Sequence, residues 1–318
     1  MLRFVGSRGL QMIVTLWVAV TLLFVVVTVL PGDPVRALFG FQPVPPEVYD
    51  AIVRDYHLDQ PIWRQYLLHL GDLLTGDLGR SYPRDPFSRV DEGVPVSDVV
   101  AATAPVSVRL LLAALVLQVV VGVVAGLLAA RRGTVAGPAL YGAAIVLVAV
   151  PVVVLSYVLR TVVGLQLGWL PARGLNEGAA SYVLPVLALA ALSTGYVALL
   201  TRAEVRAVLG RPFVAAARAR GYTEARVLAV HALRPALVPV VAYLAASIGP
   251  AVVGLVVVEG VFELPGLGGA MIRAIRDRDR SMLVGLVAVV MAAVIVVTAV
   301  GDVLTAWLDP RLRGADLA

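Results

Sequence analysis

The sequence predicts an all-α polytopic membrane protein with six transmembrane helices, and three observations carry that prediction. Hydrophobic residues make up 60% of the 318-residue chain and charged ones 15%, against about 45–50% and 25% in a soluble globular domain; the mean hydropathy is +0.91. Six charge-free intervals are long enough for a hydrocarbon core that needs about 20 residues: Leu10–Leu30, Leu110–Ala130, Gly133–Leu159, Gly178–Thr201, Pro235–Val258 and Ser281–Gly301. Arginine is then distributed by side. Arg3 and Arg8, Arg131 and Arg132, the seven from Arg202 to Arg234, and Arg311 and Arg313 fall on one face if all six intervals cross. By the positive-inside rule that face is cytoplasmic, and both termini lie on it, in a cell membrane. The contrary group, Arg173, Arg273, Arg276, Arg278 and Arg280, is smaller and mixed with Asp277 and Asp279. The formal charge of +5 therefore points to membrane lipid rather than to nucleic acid.

Taken in order, the first apolar run exceeds the h-region of about 7–15 residues of a secretory signal. It ends in Pro31-Gly-Asp-Pro34 with no small-x-small site, so it reads as a retained helix. Residues 31–105 form an extracytoplasmic insertion between helices 1 and 2. Within it, apolar residues at Val48, Ile52, Tyr56, Ile62, Tyr66, Leu67 and Leu70 have helical spacing. Its length, turns and mixed charge, with those of the Phe262–Arg280 loop, suggest a surface that receives a partner from outside. Mid-span breakers and polar residues at Pro151, Ser156 and Tyr157, Pro185, Ser193-Thr-Gly195, Ser247 and Gly249-Pro250 offer kinks and groups to line a pathway, and helix packing explains them equally well. Charges near spans ordinarily face a cavity or a partner. On that ground Glu259 is a gate candidate, with Tyr157, Ser193, Ser247 and Phe262 as further pathway candidates. Arg160 reads as snorkelling to the interface and Asp302 as a structural pairing.

The island 202–234 is polar and arginine-dense between two apolar runs, so it lies outside the bilayer, and its residues specify a fold. Pro212 suits a first helical position, Val-Ala-Ala-Ala-Arg-Ala-Arg propagates a helix, and Gly221 supplies a left-handed end. A short helix from about Pro212 to Arg220 follows. Small alanines at Ala215, Ala216 and Ala217 allow close approach of another surface, and Arg211, Arg218 and Arg220 can pair with carboxylates there.

The spacing from Ala215 to Gly221 resembles the cytoplasmic EAA loop of ABC importer permeases, which docks on the ATPase subunit; the acidic first position of that motif is Ala215 here. Ala216-Ala-Arg-Ala-Arg-Gly221 with Arg226-Val-Leu-x-x-His-Ala-Leu-Arg234 is similar to the form in oligopeptide and dipeptide permeases. Four other stretches resemble the same family in order: Leu30-Pro-Gly-Asp-Pro34, Leu58 to Ser81, Val258-Glu-Gly-Val-Phe-Glu-Leu-Pro-Gly-Leu-Gly-Gly269 and Leu308-Asp-Pro-Arg-Leu-Arg313. The resemblance implies a single transmembrane permease domain over 1–318 with the type I ABC importer permease fold. It implies ATPase coupling through Arg211, Phe213, Ala215, Ala216, Ala217, Arg218, Arg220 and Gly221. It implies as partners a homologous second permease, two cytoplasmic ATPase subunits and an extracytoplasmic binding protein. Short peptides are the implied cargo, with nickel chelates, glutathione or haem as alternatives within the family.

The chain is not expected to be an enzyme or to hold a cofactor or metal; ATP and Mg would be used by the partner subunits. It has no lysine, which a Walker A loop needs, and no cysteine. Its three histidines, His57, His69 and His231, form no His-x-x-x-His pair, and no Gly-x-Ser-x-Gly elbow occurs. The rival readings are a non-transporting membrane assembly protein and an ion-coupled transporter. The latter would want inverted repeats and midplane carboxylates, which the sequence does not display.

Overall fold

The computed structural model describes residues 2–29, 35–36, 45–81, 93–131 and 135–308. The Pro31–Pro34 block, positions 82–92, Arg132 and residues 309–318 lie outside the described residues, as does the Asp302 side chain. Among the described residues the regular elements are helical, apart from one isolated antiparallel bridge between Arg80 and Pro95. The chain packs as two compact units, Met1–Ser107 with Pro265–Val296, and Val108–Leu264 with Val297–Ala318.

In the first unit, α1 (Leu2–Val29) carries the apolar window Gly9–Val26. Two helices realise the spacing expected between Pro46 and Leu70. The first, α2 (Pro46–Asp55), starts on a proline whose missing N–H costs nothing there and buries Ile52 beside Val35, Val48 and Tyr56. The second, α3 (Ile62–Thr75), ends at Gly76 with φ of 83°. Helix α4 (Val96–Ala130) begins well before the charge-free run that starts at Leu110. Asp98 sits in its first turn, where the helix dipole favours a carboxylate, and Pro105 lies inside the helix without ending it. Thus Pro105 does not bound the second long helix. The stretch Phe262–Arg280, expected as a loop, contains α10 (Leu267–Arg276). Ala270 and Ala274 of α10 share a core with Val96 and with Met282 and Leu286 of α11 (Arg280–Leu308).

The second unit continues α4 from Val108 and adds α5 (Ala136–Ala149), α6 (Val152–Val158) extended by a π-helical stretch Leu159–Gln166, and α7 (Val183–Leu209) after a 3-10 turn Gly178–Tyr182. Next come α8 (Pro212–Ala219), a turn Glu224–Arg226, a π-helical stretch Val227–Ala232, and α9 (Leu233–Val261), in which Pro239 and Pro250 cause no break. Pro185, expected mid-span, sits in the first turn of α7, where no N–H is needed. Close helix contact is made possible by glycine: a Cβ at Gly195 would lie 2.7 Å from the Ala144 carbonyl oxygen, and one at Gly126 2.5 Å from that of Ala198.

The third candidate interval is not a straight helix. It breaks between Ala149 and Val152 with a bend of 103°. Pro151 has no N–H to donate, and the residue before a proline is pushed to extended geometry; Val150 accordingly has φ −88° and ψ 119°. The contacts at the two ends show that the broken pair still runs the length of α9. Before it, the Ala129 carbonyl accepts from Arg202 Nε (3.3 Å) and Arg206 Nη2 (3.4 Å), and Ala130 packs with Val205, Val208, Ala232 and Ala236, the start of α9. After it, Arg160 Nη1 donates to the Val261 carbonyl at 2.5 Å, the far end of α9. The chain enters at one end of α9 and leaves at the other. With this pair counted once, the helices among the described residues that are long and apolar enough to span number six.

Candidate functional site

The island between α7 and α9 is folded as its residues predict. Arg211 is extended (φ −81°, ψ 148°) and hands over to Pro212 at the first helical position. At the other end Gly221 has φ of 80°. Its N–H donates to the Arg218 carbonyl (2.9 Å), and the Tyr222 N–H reaches back to that of Ala217 (3.3 Å). This pair of bonds is the Schellman arrangement, in which only a left-handed residue, usually glycine, fits at the turn.

One side of α8 anchors it. Val214 and Ala217, three residues apart and so on one face, are buried with Val205 and Val208 at the end of α7 and with Val227, Leu228 and Ala232 before α9. Beyond the helix, Thr223 caps the next turn by accepting from the Arg226 N–H (3.4 Å), and the Tyr222 ring stacks on His231 (5.3 Å) and has the Arg226 guanidinium over it (4.7 Å). The helix is therefore tied to the two spans on either side of it. Its other side is open: Arg211, Phe213, Ala215, Ala216, Arg218 and Arg220 are exposed, Phe213 to 46%. Phe213, Ala216 and Arg220 recur at the i, i+3, i+7 spacing of one face. The phenyl ring of Phe213 is thus exposed beside arginines on a rigid support.

Two residues expected at such a surface behave differently. Ala217 points inward, because an alanine run does not reveal which member faces the core. Arg218 is engaged within the chain: Nε and Nη2 contact the Glu224 carboxylate at 2.6 and 3.2 Å. That bond lowers the Glu224 carboxyl below its ordinary range and raises the guanidinium, so both stay charged around neutrality.

The pathway candidates are scattered. Ser193 of α7 is 8% exposed, and three residues on the Tyr196 ring lies 5.7 Å from that of Tyr243 of α9. Ser247 is nearly buried and donates to the Leu244 carbonyl of its own helix (2.9 Å). Tyr157 is exposed on α6. Phe262 and Glu259 line no surface: the first is buried in the core with Leu184, Val258 and Leu264, and the second is completely buried. Arg160 does not snorkel. It bonds to the Val261 carbonyl and, at 2.6 Å, to Glu263, a non-glycine residue at φ of 53°. Among the described residues no group of three or more His, Asp or Glu is placed to hold a metal ion.

Residues 122–314, which contain α8 and both spans that anchor it, match the family described as the binding-protein-dependent transport system inner membrane component, and residues 1–86 match its N-terminal family. The chain belongs to this permease family. It is 36% identical to the oligopeptide transport system permease protein OppB of Haemophilus influenzae, across 98% of this chain and all of that protein. To OppB of Escherichia coli K12 it is likewise 36% identical, with the same coverage, and to the dipeptide transport system permease protein DppB of Lactococcus lactis 29% over 98% of this chain and all of that one. Two solved transporters have the fold: an inward-facing MetNI methionine ABC transporter (TM-score 0.54, 15% identity, 66% of this chain and 96% of that one) and an amino acid ABC transporter (0.52, 20%, 68% and 94%). The permease thus has the type I ABC importer fold, built of helices.

Sequence reasoning singled out Ser193 and Ser247 in this permease and passed over Tyr196 and Tyr243, three residues after the one and four before the other. Helical spacing from the two serines was the signal that would have found them. No local signal marks the Arg160–Glu263 pair, whose members are 103 residues apart.

Proposed function

We propose that this permease forms half of the translocation pathway of an ATP-driven importer for short peptides. In this reading it pairs with a homologous permease and two cytoplasmic ATPase subunits, and an extracytoplasmic binding protein delivers the cargo. The observation that carries the reading is α8: a short helix locked to α7 and α9 by Val214 and Ala217, with Phe213, Ala216 and Arg220 presented outward. The names of the relatives, oligopeptide and dipeptide permeases at 36 and 29% identity over nearly the whole chain, favour peptides as cargo. Arginine placement favours a cytoplasmic position for α8 and both termini, and an extracytoplasmic one for the segment between α1 and α4.

The mechanism is mechanical rather than covalent. ATP with Mg, bound by the ATPase pair, draws those subunits together. A docked α8 moves with its ATPase subunit, and because it is continuous in packing with α7 and α9 it carries these spans as a body, switching the cavity between inward- and outward-facing states. Purification of the intact assembly in mild detergent tests this reading. Recovery of a second permease and two ATPase subunits with this chain is the expected result. Recovery of the chain alone, or with proteins that bind no nucleotide, would overturn it.

A further inference from the structure

The segment between α1 and α4 reads from sequence as an aqueous, receptor-facing insertion, yet one of its helices is held at the depth of a membrane span. The Tyr66 hydroxyl of α3 lies 2.7 Å from the Thr21 hydroxyl of α1. The Phe24 ring packs edge-on against Tyr66 at 5.4 Å and stacks on His69 at 6.0 Å. Thr21 and Phe24 both belong to the apolar window Gly9–Val26. At about 1.5 Å per helical residue they lie roughly 8 and 3 Å inside its Val26 end. Water is not the medium at that depth.

The surface of α3 suits such a place. Ile62, Trp63, Tyr66, Leu67, Leu70, Leu73 and Leu74 occupy one half of its circumference, and Arg64, Gln65, His69, Asp72 and Thr75, with the single leucine Leu68, the other. Tyr66 and His69 meet α1; Trp63, Leu67 and Leu74 are 64, 56 and 83% exposed. The stripe is open, as is most of α1, in whose apolar window only 6% of the residues are buried. Burial lowers the His69 imidazole below its ordinary value, with Asp72 pulling the other way.

We propose that α3 is an interfacial helix seated in the bilayer beside α1, with the Trp63, Leu67 and Leu74 stripe against lipid acyl chains and Arg64 at the headgroups. Helices of this kind sink about 5–10 Å into the headgroup and acyl boundary, which matches the level of Thr21 and Phe24. Tryptophan with arginine at its edge is the pairing that anchors a chain at that boundary. The role is independent of cargo and of ATP: α3 fixes where the following chain leaves the membrane toward α4.

The natural sequence has no cysteine, so a single introduced one labels this chain at one place. Nitroxide is attached in turn at Trp63→Cys, Leu67→Cys and Leu74→Cys, with Arg64→Cys and Thr75→Cys from the polar half, in the complete complex in lipid nanodiscs with partner cysteines replaced. Collision with oxygen, which concentrates in lipid, is compared with collision with a water-soluble nickel chelate. The oxygen-to-nickel ratio should be several-fold higher at 67 and 74 than at 64 and 75. Equal ratios at the two sets of positions, low in water or high in the acyl core, would show that α3 is not interfacial, and low collision with both reagents at 67 and 74 would show a protein partner there; each result overturns the proposal. Leu67 and Leu74 are exposed, so their variants keep the test open if Trp63→Cys fails to assemble.

Discussion

Gly221 separates conformation from contact at the candidate coupling helix. It stands at φ of 80°, and a Cβ built on it meets no atom within 4 Å. A substitution there is therefore not a clash; its whole cost is the left-handed backbone. For a β-branched residue that strain is on the order of 1–3 kcal/mol, whereas asparagine enters the same region readily. At 1.4 kcal/mol per tenfold, Gly221→Val lowers the population with a properly ended α8 by roughly 5- to 150-fold, and Gly221→Asn barely alters it. The spans are untouched, so both variants should insert and accumulate normally. The assay is ATP hydrolysis by the reconstituted complex with and without peptide-loaded binding protein. Gly221→Val should lose the stimulation and Gly221→Asn keep it. Equal stimulation in both, or equal loss in both, would refute the argument from backbone conformation.

Other expectations follow from the remaining contacts. A cysteine at Thr223 should resist an impermeant thiol reagent added outside intact cells while one at Ser88 reacts; the reverse pattern would invert the orientation. Arg160→Met removes the donor to Val261 and Glu263, and charged hydrogen bonds are worth about 1.5–3 kcal/mol, so detergent-solubilised permease should melt clearly lower. Glu263→Gln, which spares the Val261 bond, should cost less, and a larger drop for it than for Arg160→Met would contradict the assignment. Because Arg218 already pairs with Glu224, Arg218→Ala should reduce ATPase co-purification less than Arg220→Ala or Ala216→Trp. The opposite ranking would mean that a different face of α8 docks.

Much of this was legible in the residues. The six apolar runs, the helical spacing of Val48, Ile52 and Ile62, and the bounds of α8 set by Pro212 and Gly221 all reappear in the structure, because each rests on a local property of backbone or solvation. What was not legible is non-local. Valine and alanine on both sides of Pro151 make that run look uniform, and only the geometry shows that the helix turns by 103° there. Asp98 and Arg109 ended the charge-free count, although a helix long enough to leave the hydrocarbon keeps both, so α4 begins at Val96. In the run Ala215–Ala217 composition is symmetric, and the inward choice of Ala217 is made by Val205, Val208 and Val227. Glu259 read as a gate candidate from its place at a span end and Phe262 as a pathway candidate, and the packing of the α9 terminus encloses both in this chain.

The account turns on a nucleotide-driven passage of peptide through this chain, and uptake into sealed proteoliposomes measures it directly. The complex is reconstituted with ATP and Mg enclosed on the face bearing α8, and a labelled short peptide with its binding protein is added on the other. Accumulation that requires hydrolysable ATP and vanishes with Gly221→Val is the predicted result. Accumulation that proceeds equally without nucleotide, or driven by an ion gradient alone, would contradict the account.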